Sequence, residues 1–143
     1  MGTLQQLQQQ SQHIDELCRV LNVLIKEPSV CQTTLCHEMF DSFRDNIKNH
    51  LTLEESSLYA QMLAHSDHDI QQLAGRFKEN SREIKKLFMQ YEKRWCKNGI
   101  SKVKDKNREE FIQETTDMFS VILKRIEAES NDFFPIAERA IAA

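Results

Sequence analysis

Glycine and proline are scarce in this chain, with three Gly and two Pro among 143 residues. An average protein of this length carries about 17 of the two together. Sheet folds need turn residues about every 8–12 positions, so the shortage argues against sandwiches, barrels and doubly wound α/β folds. With Gly only at positions 2, 75 and 99, neither GxGxxG nor GxxxxGKS/T can be written, and Gly-rich phosphate loops are excluded. Long apolar runs are lacking too; nothing approaches the ~18 residues of a membrane span. The opening stretch MGTLQQLQQQSQH has neither the basic nor the apolar region of a secretory signal. Gln6 stands where myristoylation requires Ser or Thr. There is no excess of basic charge: a net charge of −3 argues against non-specific nucleic-acid binding. The four cysteines, Cys18, Cys31, Cys36 and Cys96, form no CxxC pair. They read as reduced packing residues of a cytoplasmic protein.

What is present is a core-forming composition, 40% hydrophobic and 29% charged. The length suits one domain spanning residues 1–143. Strong punctuation falls at three places. Pro28 disfavours helix at Glu27, and Ser29 is placed to cap a new helix. Ser66 with Asp69 three residues later resembles an acidic capping box. Lys97-Asn98-Gly99 reads as a helix stop, followed by a polar stretch. The four segments between these breaks all show helical spacing of apolar residues. Examples are Leu4, Leu7, Ile14, Leu17 and Leu21 in the first and Phe40, Phe43, Ile47, Leu51 and Leu58 in the second. The third has Leu73, Phe77, Ile84, Phe88, Tyr91 and Trp95, and the fourth Phe111, Met118, Ile122, Ile126 and Phe133. Four amphipathic helices with short connections imply an all-α, up-down-up-down antiparallel four-helix bundle.

Polar residues that interrupt an apolar stripe are the candidates for chemistry. At 100° per residue the second stripe runs through positions 43, 47, 50, 54 and 58, which includes His50 and Glu54. The third stripe contains Asn80 and the fourth Glu129. On the first helix, His13 aligns with Leu17, Val20 and Leu24 at the edge of the inward face. Buried carboxylates are costly unless paired or neutralised. A divalent cation between the helices removes that cost, and carboxylate with imidazole suits iron, manganese or zinc. His50 and Glu54, four apart, lie one turn from each other and can reach the same ion. The alternative for each residue is a satisfied core histidine or a carboxylate whose head snorkels to water. His65 and His68 flank a helix cap and read as a solvated corner. Lys97, Lys102, Lys104, Lys106 and Arg108 read as a solvated loop. Glu55, Glu79 and Glu127 fall on outward faces.

These residues resemble the hemerythrin-like, HHE cation-binding family. Gln12-His13 is similar to its opening ligand histidine, and His50 through Glu54-Glu55 to its HxxxEE. Arg125-Ile126 through Glu129 to Phe133-Phe134-Pro135 is similar to its HIxxExxxLFP. Leu63-Ala64-His65-Ser66-Asp67, Phe77 through Asn80 and Tyr91 through Trp95 resemble a bacterial subgroup. The resemblance spans roughly residues 10 to 138. It implies an antiparallel bundle holding one or two non-haem iron ions, with His13, His50, Glu54 and Glu129 as matched ligand positions and Asn80 at a third-helix acid position. The last-helix histidine is Arg125 here, and the third-helix histidine falls near Ser81. The family's full histidine-rich di-iron set is therefore not present.

Two readings follow. In the first, the metal ligands are His13, His50, Glu54, Glu129 and Asn80. The protein then binds iron or another divalent metal and senses, binds or stores oxygen, a reactive small molecule or iron. Its partners are the ion and a diatomic ligand, with no nucleic acid and no membrane. In the second, a metal-free bundle serves as an interaction or regulatory module, with Arg125 in place of the cation beside Glu129 or Glu54. A ferritin-like oxidase ranks last, since paired ExxH motifs are not visible. No enzyme activity is assigned.

Overall fold

The computed structural model describes residues 2–96 and 104–142, apart from the side chains at 28, 31, 105 and 142. The helix stop at Lys97–Gly99, with Lys97 and Lys102 of the basic stretch, lies outside the described residues, as does the side chain of Cys31.

Helix α1 runs Gly2–Leu24, and a single turn, α2, occupies Pro28–Cys31. Helix α3, Thr34–Glu54, continues through a π-helical turn at Glu55–Tyr59 into α4, Ala60–Leu63. Helix α5, His68–Tyr91, ends in a second π turn, Glu92–Cys96. After a 3-10 turn at Asp105–Asn107, helix α6, Arg108–Ala128, passes through a third π turn, Glu129–Phe133, into α7, Phe134–Ala142. These rods form the four-helix bundle. Helix α1 packs on α3 and α6, while α5 packs on α4 and α6, and α4 meets α7. Among the described residues no helix is long and apolar enough to cross a membrane.

The breaks lie where the sequence places them, but different side chains make the caps. Pro28 opens the one-turn α2, where its missing N–H costs nothing. Thr33, not Ser29, then caps α3, its Oγ1 accepting from the Cys36 N–H at 3.2 Å. At the next corner Asp67, not Ser66, is the N-cap: its carboxylate accepts from the Asp69 N–H at 2.9 Å. His65 Nδ1 accepts from the Asp67 N–H at 3.0 Å, so that histidine belongs to the corner.

Apolar packing is divided into two cores. One holds Ile14, Leu21, Phe40, Phe43, Ile47, Leu51, Ile84, Phe88, Tyr91, Trp95, Phe111, Phe119 and Ile126, among others. The other holds Leu7, Leu58, Tyr59, Met62, Leu73, Phe77, Phe133 and Phe134. Phe77 and Phe133 stack with ring centroids 4.5 Å apart, a contact contributing about 0.5–1.5 kcal/mol beyond area burial. Each long rod crosses from one core to the other once. The crossing falls between Leu7 and Ile14, Leu51 and Leu58, Phe77 and Ile84, and Ile126 and Phe133. A polar layer lies at these crossings: Ser11, Glu54, Ser81 and Glu129 fall inside the four intervals, and His50 and Arg125 stand one residue before two of them.

The same packing corrects the phase of two stripes. On α1 the inward line is Leu7, Ser11, Ile14, Leu17, Cys18 and Leu21, while Val20 is 45% exposed and His13 lies on the exposed side. On α5 the buried residues are Phe77, Ser81, Ile84 and Phe88, while Asn80 and Leu87 are exposed. Cys18, Cys36 and Cys96 are buried free thiols. Burial pushes Cys18 up to about 12 and Cys96 up to about 11, which makes both poor nucleophiles at neutral pH.

Candidate metal centre

The polar layer is built from His50 and Glu54 on α3, Glu129 at the start of the third π turn, Arg125 on α6 and Ser11 on α1. All five are at most 4% exposed. The π turns matter locally. One follows Glu54 immediately and another begins at Glu129. Each widens the helix by one residue, so adjacent pairs, Leu58–Tyr59 and Phe133–Phe134, are both buried just beyond the layer. Such turns occur frequently at functional sites.

His50 Nε2 lies 2.8 Å from Glu129 Oε1 and 3.4 Å from Glu54 Oε1. Its other ring nitrogen, Nδ1, bonds Gln10 Oε1 at 3.0 Å. An Nδ1–H donated to that amide oxygen fixes the ring orientation and turns Nε2 toward the two carboxylates, the role an outer partner plays for ligating histidines. The Ser11 hydroxyl donates to Glu129 Oε1 at 3.1 Å. One ligand atom from each of His50, Glu54 and Glu129 lies within 4.8 Å of the others.

Arg125 faces the same carboxylates from the other side. Its Nε donates to Glu129 Oε2 at 3.0 Å, and Nη2 to Glu54 at 3.4 Å and to the Tyr59 hydroxyl at 2.6 Å. Nη1 donates to the Phe77 carbonyl at 2.9 Å and to Asn80 Oδ1 at 3.1 Å. The guanidinium carbon sits 4.6 Å from the centroid of the Phe77 ring. All five N–H groups of the fork therefore have acceptors, which is what burial of a guanidinium demands.

The two carboxyl groups titrate in opposite directions. Burial raises Glu54 well above its ordinary range, and the charge and hydrogen bond of Glu129 raise it further, with Arg125 opposing. Burial also pushes Glu129 upward, but the bond and charge of His50, the Glu54 hydrogen bond and Arg125 outweigh it and hold Glu129 at about 2. Of the two, Glu54 is thus the carboxyl pushed toward its neutral form and Glu129 the one held toward its charged form beside Arg125. Tyr59 is pushed up by burial and by Glu54.

The structure therefore brings together three of the five residues read as ligands, His50, Glu54 and Glu129. His13 is left out: the phase of α1 turns it to solvent and puts Ser11 in the layer. Asn80 reaches the layer only through Arg125, as an acceptor for its guanidinium. Arg125 points inward, and its long stem does not carry it to water. Ser11, Gln10 and Tyr59 were not identified as site residues from the sequence. Ser11 had a signal, since it lies four after Leu7 and three before Ile14, the line that α1 buries.

The donor set fits one divalent cation, with one imidazole and two carboxylates converging on a point. It does not fit two. Arg125 occupies the far side of both carboxylates with a fixed positive charge, and Ser81 is buried at 2% exposure. The Ser81 hydroxyl has no hydrogen-bond partner among the described residues.

Comparison with known proteins bears on the fold. The family model described as the hemerythrin HHE cation binding domain matches residues 3–137. No curated protein and no solved structure matches the chain.

Proposed function

The chain belongs to the hemerythrin HHE cation-binding family, and from that premise we propose that it holds one divalent metal ion, iron foremost, at His50, Glu54 and Glu129. The observation that carries this reading is the convergence of three buried donor atoms within 4.8 Å of one another. A bound iron ion would supply an open coordination position and an Fe(II)/Fe(III) couple. The protein residues do the rest. Gln10 orients His50, Ser11 holds Glu129, Glu54 gives up its proton on ligation, and Arg125 offsets charge on the carboxylates. The role we assign is binding, sensing or storage of oxygen, a reactive small molecule or iron, by a single-domain cytoplasmic protein with a diatomic ligand as the second partner.

The test is anaerobic equilibrium dialysis against Fe(II), followed by elemental analysis. Wild type and His13→Ala are expected to retain one ion per chain and His50→Ala to lose it. Retention by His50→Ala, or equal loss in His13→Ala, overturns the assignment. A second reading is favoured by one specific observation: Arg125 bonds both carboxylates, so the cluster is satisfied with no ion. In that reading the bundle is a metal-free interaction or regulatory module. A folded wild-type chain that retains no Fe(II), Mn(II) or Zn(II) supports it over the first.

A further inference from the structure

The donor atoms proposed to hold an ion are closed off from solvent. Ser11, His50, Glu54 and Glu129 are each at most 3% exposed, so a side chain must move before anything reaches them. Arg125 is placed to do so. A groove of about 1130 Å³ runs along the outside of the bundle between α5 and the α6–α7 rod, and Arg125 forms part of its wall beside Phe77, Asn80, Val121 and Ala128. Ser11, His50, Glu54 and Glu129 do not line it. Among the charged members of the layer, Arg125 therefore borders both the groove and the carboxylates.

Its fork divides along that boundary. Nη1 donates to the Phe77 carbonyl and to Asn80 Oδ1, both on residues that line the groove, and Asn80 is exposed. Nε and Nη2 donate inward, to Glu129, Glu54 and Tyr59. The contacts to Glu54, at 3.4 and 3.5 Å, are longer than the about 2.7–3.2 Å of an ordinary N–H···O bond, so that carboxyl is held loosely. Arg125 and Glu129 stand one turn apart on the same rod. The arginine stem turns about its own bonds, so the fork can leave the carboxylates without moving one helix against another. Withdrawal breaks charge-assisted bonds, which makes opening infrequent. Along the groove Asp67, Asp69 and Asp132 balance Arg76, Lys124 and Arg139. The positive charge standing between the groove and the carboxylates is that of Arg125.

We propose that Arg125 is a gate. The groove is the route by which a divalent cation reaches and leaves His50, Glu54 and Glu129, and the guanidinium swings toward Asn80 at each passage. The identity of the cargo rests on the metal reading above; the opening itself is a property of the ion-free protein. Asn80 holds the closed position from the groove side in the ion-free and loaded forms alike, so it sets the rate of passage and not the affinity.

Two measurements on the full chain test it. The first is deuterium exchange of the Arg125 Nε–H in ion-free protein, followed by NMR. Opening without unfolding predicts exchange faster than that of the slowest core amides. Asn80→Ala, at an exposed helical position that accepts alanine, is expected to speed it about threefold or more while leaving those amides unchanged. Arg82→Ala, on the same helix but outside the groove, is expected to change neither. The second is stopped-flow loading with Zn(II) and its release to excess chelator. Asn80→Ala is expected to speed both by about threefold or more, with Kd within about twofold of wild type. Exchange of the Arg125 Nε–H at the rate of the slowest core amides overturns the gate, because the fork then leaves the layer only on unfolding. Equal exchange in wild type and Asn80→Ala, or equal acceleration by Arg82→Ala, overturns it too. Faster exchange in Asn80→Ala with unchanged Zn(II) rates overturns the route alone. A chain that retains no Zn(II) overturns the metal reading and with it the route, while the exchange rates still decide whether Arg125 opens.

Discussion

Replacing Arg125 with methionine removes the guanidinium while keeping much of the stem that packs within the bundle. Five acceptors lose a donor: Glu129 Oε2, the Glu54 carboxyl, the Tyr59 hydroxyl, Asn80 Oδ1 and the Phe77 carbonyl. Asn80 is exposed and water can serve it, but Glu54, Glu129 and Tyr59 are at most 2% exposed, so water cannot reach them without opening the bundle. Breaking a buried pair by removing one partner costs about 3–5 kcal/mol. Near this chain length about 3 °C of melting temperature corresponds to 1 kcal/mol, which gives a loss on the order of 10–15 °C. Calorimetry of ion-free protein at neutral pH measures it. The same variant probes the metal reading, because the positive charge that competes for Glu54 and Glu129 is gone. Added Fe(II) or Zn(II) is expected to raise the melting temperature of Arg125→Met more than that of wild type, and Arg125→His, which adds an imidazole donor, is expected to bind iron more tightly than wild type. A loss below about 1 kcal/mol refutes the view that Arg125 neutralises the layer. Weaker iron binding by Arg125→His refutes the view that the arginine competes with an ion.

Three further outcomes are expected. Glu54→Gln should lower metal content while leaving the ion-free protein within about 1 kcal/mol of wild type, because Glu54 is pushed toward its neutral form and a neutral amide of the same shape replaces it; metal content equal to wild type removes Glu54 from the centre. Glu129, held at about 2 against about 4.3 in the unfolded chain, contributes stability that is full above the unfolded value and disappears as pH falls through the folded one. At 1.36 kcal/mol per unit this amounts to about 3 kcal/mol. Urea unfolding between pH 5 and pH 2.5 should therefore be less steep in pH for Glu129→Gln than for wild type, and identical slopes would count against the assignment. Glu54 has the opposite sign, its contribution present at low pH and lost as pH rises through its raised folded value. Phe88, 3% exposed and with its ring centroid 6.1 Å from that of Phe43, should cost about 3–5 kcal/mol on truncation to alanine; a loss under about 1 kcal/mol by chemical unfolding means the site is not core.

His50, Glu54 and Glu129 were legible because each stands alone among strong apolar residues. On α3 and α6 the flanking Phe43, Ile47, Leu51, Met118, Ile122 and Phe133 leave no doubt about which face is inward. Helix α1 is different. Val20 and Leu24, with the buried Leu17 common to both lines, compete with Leu7, Ile14, Cys18 and Leu21 for the inward face, and the two lines are one residue apart. A choice between them rotates the inward face by about 100° and exchanges Ser11 for His13 as its polar member, two residues that lie about 200° apart around the helix. On α5 the same one-residue ambiguity exchanges Asn80 for Ser81. Periodicity defines a face only to within about one residue, and the π turns add a further residue to the count.

The absence of turn residues, the three breaks and the helical spacing were enough to establish an all-α bundle, since a chain with so few glycines and prolines has few other ways to bury its apolar faces. Spacing within one helix was likewise enough to put His50 and Glu54 on a common side, because residues four apart meet whatever the helix packs against. Which atoms face each other across the bundle was decided by tertiary packing alone. His50 meets Glu129 over 79 residues of chain, Arg125 meets Glu54 over 71 and Ser11 meets Glu129 over 118. Such contacts depend on the rotation and axial offset of each helix against its neighbours, which come from how the two apolar cores interlock and not from any local pattern. The inward turn of Arg125 is the clearest case. Its long stem can reach either water or the layer, and only the convergence of Glu54, Glu129, Tyr59, Asn80 and the Phe77 carbonyl supplies the acceptors that make burial of its charge favourable.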